Sequence, residues 1–123
     1  MKMTIDASML KKMFEDYTRD YYSFSGCEAL INFYDEIDEN MEVDIIGICC
    51  DCTEYGEHGA ACDFADLILD YSYKMKCGGV TLEQWNALNQ DEKDDYILEL
   101  VDTLEDETTV LHVSNGNYIV FTF

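Results

Sequence analysis

The sequence predicts an α+β fold in which a three-stranded, mostly antiparallel sheet packs against four to five helices. Two observations lead to this prediction. Apolar residues recur at helical spacing in several segments, and two β-rich runs at the end of the chain flank an Asn-Gly pair, a strong signal for a β-hairpin. The chain has 123 residues and no proline. Without a linker-like segment, residues 1–123 are predicted to form one acidic domain.

The first two elements are predicted to be helices. Asp6 has the residue type of an N-cap, and helical spacing continues to about Arg19. A second helix is expected to begin at Ser25, with Glu28 three residues later completing a capping box. The inward face of the first helix would consist of Leu10, Met13, Phe14, Tyr17 and Tyr21.

Three strands are predicted to form the sheet. The first covers about 42–50, because it begins with apolar and acidic residues in alternation and ends in an apolar run typical of a central strand. The other two belong to the C-terminal hairpin, 109–123, with strands over 109–113 and 118–123. We expect the first strand to pair with this hairpin.

The remaining elements are predicted to be helices between these strands. Apolar spacing indicates a helix over about 60–73. Thr81 with Gln84 and Asn89 with Glu92 are typical of two further capping boxes, each at the beginning of a helix.

The overall charge limits the classes of partner. The chain has 27 acidic and 7 basic residues, a formal net charge of −20, yet it contains nine Tyr, six Phe and one Trp. Disordered acidic chains have few aromatic residues, so this chain is predicted to fold and to carry its charge on a folded surface. Such a field repels nucleic acid and anionic membranes and attracts basic protein surfaces. Adaptation to high salt is an alternative origin of this charge.

The distribution of the acids suggests a binding surface. Between Arg19 and Lys74 there are fourteen acidic residues and no Lys or Arg. Carboxylates four residues apart on a helix lie about 5–6 Å apart, close to the spacing of successive phosphates, and could occupy the Arg and Lys sites of a nucleic-acid-binding protein. The alternative is a solvated face that serves solubility. The predicted partner-binding residues are Asp35, Glu36, Asp38, Glu39, Asp63, Asp66, Asp70, Asp94, Asp95 and Glu99.

The cysteines are interpreted as small buried side chains. Cys49, Cys50, Cys52, His58 and Cys62 together suggest a zinc site, but their spacing does not give the two ligand pairs of a zinc module. An acidic environment also raises thiol pKa values and disfavours a nucleophilic cysteine. We therefore predict no metal and no cofactor.

The sequence contains no recognisable catalytic motif. There is no phosphate-binding glycine-rich loop and no metalloprotease or calcium-loop pattern, and His58 and His112 lack a partner at motif spacing. The longest apolar run has about six residues, too few for a membrane span. The prediction is a non-enzymatic protein of the bacterial cytoplasm, monomeric or homodimeric.

Three stretches carry a resemblance to a known group of proteins. They are residues 42–55 (EVDIIGICCDCTEY), residues 106–110 (DETTV) and the Phe24-Ser25-Gly26 segment. They resemble a largely uncharacterised family of small acidic proteins from phages and mobile elements of Gram-positive gut bacteria. The resemblance implies a role against host defence systems, and in type alone the chain is similar to DNA-mimicking anti-restriction and anti-CRISPR inhibitors.

These observations leave two principal hypotheses. The first is a nucleic-acid-mimicking inhibitor that binds the basic DNA- or RNA-binding surface of a defence nuclease, such as a CRISPR effector or restriction enzyme. The second is an acidic adaptor or regulator that binds a protein through an apolar and tyrosine surface. A zinc or redox module built on the cysteines is a third, less favoured hypothesis.

Overall fold

The computed structural model describes residues 6–37, 45–60, 62–75 and 79–122. Within these ranges, the predicted α+β class is confirmed. The helices are α1 (Ala7–Asp16), α2 (Phe24–Ile37), α3 (Ile45–Asp51), α4 (Phe64–Tyr71), α5 (Leu82–Ala87) and α6 (Gln90–Glu105), with a 3₁₀ turn over Ser72–Lys74. The strands are β1 (Cys52–Tyr55), β2 (Val110–His112) and β3 (Tyr118–Phe121).

The described strands form one antiparallel sheet in the order β1-β3-β2. Thr53 lies opposite Val120, and Leu111 lies opposite Ile119. The C-terminal hairpin is thus confirmed, with shorter strands than predicted. Its turn includes Gly116, whose φ of 93° favours glycine.

Helices cover both faces of the sheet. On one face, residues of α1, α2 and α3 pack with Leu111 and Ile119 in a first buried cluster. On the other face, residues of α4, α5 and α6 pack with Val110 and Val120 in a second cluster. The neighbours Ile119 and Val120 are 0% and 1% exposed. Because successive strand residues point to opposite faces, β3 is the central strand of a three-layer domain.

The predicted strand over 42–50 is wrong. Residues 45–51 form helix α3, residues 42–44 lie outside the described residues, and the strand begins only at Cys52. Ile45 and Ile48 are both buried, and their separation of three residues suits one helical face. A short apolar run does not by itself distinguish a strand from a buried helix. The resulting strand, β1, lies at an edge of the sheet rather than at its centre.

The beginning of α1 is confirmed, but its inward face is shorter than predicted. The side chain of Asp6 accepts a hydrogen bond from the Met9 N–H at 2.9 Å, as an N-cap does. The helix ends at Asp16, and Thr18 adopts a φ of 55° that turns the chain away. Tyr17 and Tyr21, predicted on the inward face, are therefore exposed.

The predicted capping box at Ser25 and Glu28 is wrong, because α2 begins at Phe24 and its N-cap is Ser23, two residues before Ser25. Ser23 Oγ accepts a hydrogen bond from the Gly26 N–H at 2.9 Å. The reciprocal carboxylate comes from β1: Glu54 accepts from the Ser23 N–H at 3.1 Å and from Ser23 Oγ at 2.6 Å. A capping box normally takes this carboxylate from its own helix, whereas here it comes from a strand.

Glu54 also joins α2 to the hairpin. Its side chain is buried, with the residue 1% exposed, and accepts a hydrogen bond from Asn117 Nδ2 at 2.6 Å. Asn117 Nδ2 donates in addition to the His58 carbonyl at 3.1 Å. A buried carboxylate is costly unless hydrogen bonds compensate for lost water, and these donors supply that compensation. Glu54 therefore links α2, β1 and the β2–β3 turn.

The capping boxes of the C-terminal helices follow the sequence closely. Both reciprocal hydrogen bonds are present for Thr81 with Gln84 and for Asn89 with Glu92, as predicted. Helix α4 begins at residue 64, later than the predicted 60, because Asp63 caps it in another box with Asp66.

Replacing Glu54 with glutamine is expected to destabilise the fold by about 1–3 kcal/mol. In either orientation, the glutamine NH₂ group would face a donor from Ser23 or Asn117 that now binds a carboxylate oxygen. Urea unfolding monitored through Trp85, the single tryptophan, measures the effect. The exposed Glu57→Gln variant is the control and should change stability by less than about 0.5 kcal/mol. Equal stabilities of the two variants would contradict the role given to Glu54.

Gly26→Ala is expected to destabilise the protein by about 1–3 kcal/mol through overpacking, although alanine normally stabilises a helix relative to glycine. A Cβ atom at this position would lie 1.7 Å from Glu54 Oε1. Combining the substitution with Glu54→Asp, which shortens the side chain, should reduce its cost. A double-mutant cycle measured by urea unfolding tests this coupling, and a stabilising Gly26→Ala would refute it.

Candidate acidic partner-binding surface

Helix α6 presents a row of carboxylates directly opposite its buried face. Ile97, Leu100, Val101 and Leu104 are buried. At about 100° per residue, six exposed acids fall on the opposite side; Glu92 is one of them and belongs to the capping box, and we call the other five the α6 carboxylate stripe. The stripe consists of Asp91, Asp95, Glu99, Asp102 and Asp106. Its members are three or four residues apart, so successive positions advance by about 4.5–6 Å along the axis.

The charge density of α6 is close to that of one nucleic-acid strand. The helix has 16 residues, which gives a length of about 24 Å. Seven of these residues are Asp or Glu, or one carboxylate per about 3.4 Å. One strand of B-DNA carries one phosphate per about 3.4 Å of helix axis, and the duplex carries one per about 1.7 Å. The match in charge density is therefore to a single strand, and it counts the acids on all sides of α6 rather than the stripe alone.

The stripe is not neutralised within the described part of the chain. No salt bridge there involves Asp91, Asp95, Glu99, Asp102 or Asp106. The single basic residue of α6, Lys93, lies on the other side of the helix, with its Nζ 5.5 Å from the centre of the Trp85 ring. The stripe therefore presents its charge to solvent.

The predicted contacts on α6 are only partly in the stripe. Asp95 and Glu99 belong to it, whereas Asp94 lies on its flank and accepts a hydrogen bond from Gln90 Nε2 at 2.8 Å. The prediction omitted Asp91, Asp102 and Asp106 from the contact set. The signal that identifies them is their position opposite the apolar residues of the same helix.

The flank of the stripe combines acids with apolar side chains. Leu98 is exposed between the stripe and Asp94. Tyr118 of β3 lies nearby; burial raises its pKa, and the carboxylates of Glu105, Asp102 and Asp94 raise it further. These acids therefore act on a common region next to the sheet.

The predicted contacts on α2 are partly described. Asp35 and Glu36 are exposed in the last turn of α2. Asp38 and Glu39 lie outside the described residues. Of the four contacts predicted on α2, the structure therefore places two, and they lie on a different helix from the stripe.

The predicted contacts on α4 have structural roles of their own. Asp63 and Asp66 form the capping box of this helix. Asp70 accepts a hydrogen bond from the Tyr55 hydroxyl at 2.8 Å. Burial raises the pKa of the Cys62 thiol, and Asp66, Asp70 and Asp63 raise it further. Substitutions at these acids would change stability as well as surface charge, so they are poor probes of binding.

The described basic residues lie mainly in parts of the domain other than the outer face of α6. Lys11 pairs with Asp20 and donates to the Tyr22 carbonyl at 2.7 Å. Lys12 lies 3.7 Å from Asp16. Lys74 pairs with Glu107 at 3.0 Å. The positive charge thus lies mainly around α1 and the 3₁₀ turn.

The cysteines lie mostly in or beside the core. Burial raises the pKa of Cys27 to about 12 and that of Cys52 to about 12. Cys49 and Cys50 lie on helix α3 rather than in the predicted strand, and Cys50 is exposed, so the prediction of a buried side chain is wrong for it. Among the described residues, no group of three His, Cys, Asp or Glu side chains is arranged to hold a metal ion.

An apolar cavity lies beside the exposed aromatic residues that follow α1. Its volume is about 270 Å³, and its walls include Tyr21, Tyr22, Cys49, Cys52 and Cys62. Tyr17 and Phe24 are also exposed in this part of the chain. This apolar and tyrosine surface is the part of the structure that would serve an adaptor.

Comparisons with known proteins leave the chain without an assigned relative. Family models, curated proteins and solved structures gave no match. Among the described residues, no helix is both long and apolar enough to cross a membrane. Arguments about function therefore start from the surface itself.

We expect the thiols to react with iodoacetamide in an order set by exposure and pKa. At mildly alkaline pH, the exposed Cys50 should be alkylated before the buried Cys27 and Cys52, because burial and a raised pKa leave these two thiols little accessible, reactive thiolate. Timed mass spectrometry measures each site. The same reaction in concentrated urea is the control and should remove the order. Alkylation of Cys52 as fast as Cys50 in folded protein would contradict the burial.

Proposed function

We propose that this protein is an inhibitor of the anti-CRISPR or anti-restriction type, which imitates nucleic acid and blocks a bacterial defence nuclease. It would bind stoichiometrically to a basic surface that normally holds DNA or RNA. The observation that supports this proposal is the α6 carboxylate stripe, whose carboxylates recur every three or four residues and whose charge no described cation neutralises.

The stripe offers the two properties that such binding requires. Arg and Lys side chains recognise phosphates and carboxylates through the same charge-assisted hydrogen bonds. A helix packed on a sheet keeps its carboxylates in a fixed register, so little ordering is needed on binding. Attraction between opposite charges would make association fast and sensitive to salt.

A second candidate function is a protein–protein adaptor that uses the surface around Tyr21. The exposed Tyr21, which lines the apolar cavity, and the exposed Tyr17 and Phe24 near it in the sequence favour this function, because aromatic residues are enriched in binding interfaces. In that case the acids serve solubility. Affinity would then depend little on salt, and Tyr21→Ser would weaken binding more than loss of the stripe.

Neutralising the stripe is expected to abolish partner binding without loss of stability. The test variant combines Asp95→Asn, Glu99→Gln and Asp102→Asn. It removes three charges from the centre of the stripe and avoids the capped first turn of α6. Because like charges four residues apart repel one another, the melting temperature should stay equal or rise.

The matched control removes the same number of charges elsewhere. It combines Glu15→Gln, Glu57→Gln and Glu83→Gln, which are exposed and lie outside the stripe. Each protein is immobilised and incubated with lysate of a Gram-positive bacterium at low salt. Bound proteins are eluted with a salt gradient or with a single-stranded oligonucleotide, and each is then assayed for nuclease activity with and without the inhibitor.

Mimicry predicts that the native chain and the control bind a nucleic-acid-binding protein that the oligonucleotide displaces. The stripe variant should bind at least tenfold less of this protein. Equal binding by all three proteins would refute the proposal. Equal loss in both variants would indicate general charge attraction. A partner that the oligonucleotide does not displace, and whose binding requires Tyr21, would support the adaptor function instead.

A further inference from the structure

The outer edge of β2 has backbone groups available for another strand. The Phe121 N–H donates to the Thr109 carbonyl at 3.0 Å, and the Val113 N–H donates to the Asn117 carbonyl at 3.0 Å. Because backbone groups alternate along a strand, the N–H and C=O groups of Val110 and His112 point away from β3. Within the described part of the chain they make no backbone hydrogen bond.

The opposite edge of the sheet, formed by β1, has a pairing partner within the chain. The Gly56 N–H donates to the Cys62 carbonyl at 3.0 Å, and Tyr55 forms a parallel bridge with Cys62. A further segment thus pairs with the edge formed by β1. Proteins commonly protect open edges with proline, lysine or a covering segment. The chain has no proline, β2 has no lysine, and no described segment other than β3 pairs with β2.

A groove continues from β2 to helix α2. Its volume is about 270 Å³, and Ala29, Asn32, Phe33 and Glu36 of α2 line it opposite the three residues of β2. Leu111 packs on the α2 side of the sheet. Side chains of an added strand alternate between the two faces. Those that share the face of Leu111 would therefore enter the groove.

The charges around the edge of β2 indicate which kind of strand could bind there, a second copy of this chain or a segment of another protein. Glu36 lines the groove, and on the other face Glu105 contacts His112 Nε2 at 2.6 Å. No Lys or Arg lines the groove. A second copy of the chain would bring another formal charge of −20 to the same edge, which opposes self-association. A basic segment would instead be attracted.

We propose that the edge of β2 and its groove bind an extended segment of a partner protein, with apolar and basic residues in alternation, by addition of a fourth strand. Main-chain hydrogen bonds to Val110 and His112 would supply affinity, and the groove would select an apolar side chain. This surface differs from the α6 carboxylate stripe. The inference goes beyond the proposed function and holds whether or not the stripe imitates nucleic acid.

The probe is a blocked synthetic heptapeptide of alternating arginine and valine. Two further peptides carry N-methyl groups, one on every arginine and the other on every valine, with unchanged side chains and charge. In a strand, the N–H groups of these two sets point to opposite edges. Strand addition therefore predicts that one methylated peptide binds at least tenfold more weakly, while the other stays within about twofold of the parent. Calorimetry measures the three affinities on the native chain.

Amide exchange and one variant complete the test. The Val110 and His112 amides should exchange rapidly in the free protein and become protected by the parent peptide. Val110→Pro removes an outward N–H and leaves the β2–β3 hydrogen bonds in place, so it should weaken binding at least tenfold. Its thermal unfolding is checked, and the methylated peptides remain decisive because they need no variant.

Three results would overturn the inference. Equal binding of the two methylated peptides would mean that charge attraction alone holds the probe. Strong protection of the Val110 and His112 amides in the free monomer would mean that the chain itself covers the edge. Dimerisation at high salt, seen by analytical ultracentrifugation and lost in Val110→Pro, would make a second copy the occupant.

Discussion

The buried carboxylate of Glu54 is the interaction on which the arrangement of the domain depends. Its donors come from Ser23 before α2 and from Asn117 in the hairpin turn, which are far apart in the sequence. A single side chain thus fixes an edge strand, a helix beginning and a turn relative to one another. The absence of a Cβ atom at Gly26 leaves room for it. Because these donors belong to the chain itself, their hydrogen bonds compensate the carboxylate for the water that it loses on burial.

All other described acids lie at the surface or near it, and their placement follows the layers of the fold. A central strand buried on both faces requires a helical layer on each side. Each outer helix then has one face turned to solvent, where a carboxylate costs little desolvation. On α6 this face is almost entirely acidic. The repulsion among these charges opposes folding, and the two apolar clusters and the Glu54 network stabilise the fold against it.

The two candidate surfaces differ in how far the sequence predicted them. The acids in and next to α6 are apparent in the sequence, and helical periodicity places the α6 carboxylate stripe opposite the core. The proposed β2 docking edge could not be predicted from the sequence, because it depends on which strand becomes central. The sequence favoured the segment 42–50 for that place, whereas β3 occupies it. With β1 and β2 on the outside, one edge pairs with Cys62 and the other remains open within the described residues.

The sequence by itself determined the elements that depend on neighbouring residues. The N-cap at Asp6, the capping boxes at Thr81 and Asn89 and the closing hairpin were predicted correctly, because their hydrogen bonds join residues only a few positions apart. Only the tertiary structure decided the helical state of α3, the beginning of α2 and the order of the strands. Each depends on contacts between distant segments, and burial against a neighbouring layer overrides the local preference of a short apolar run.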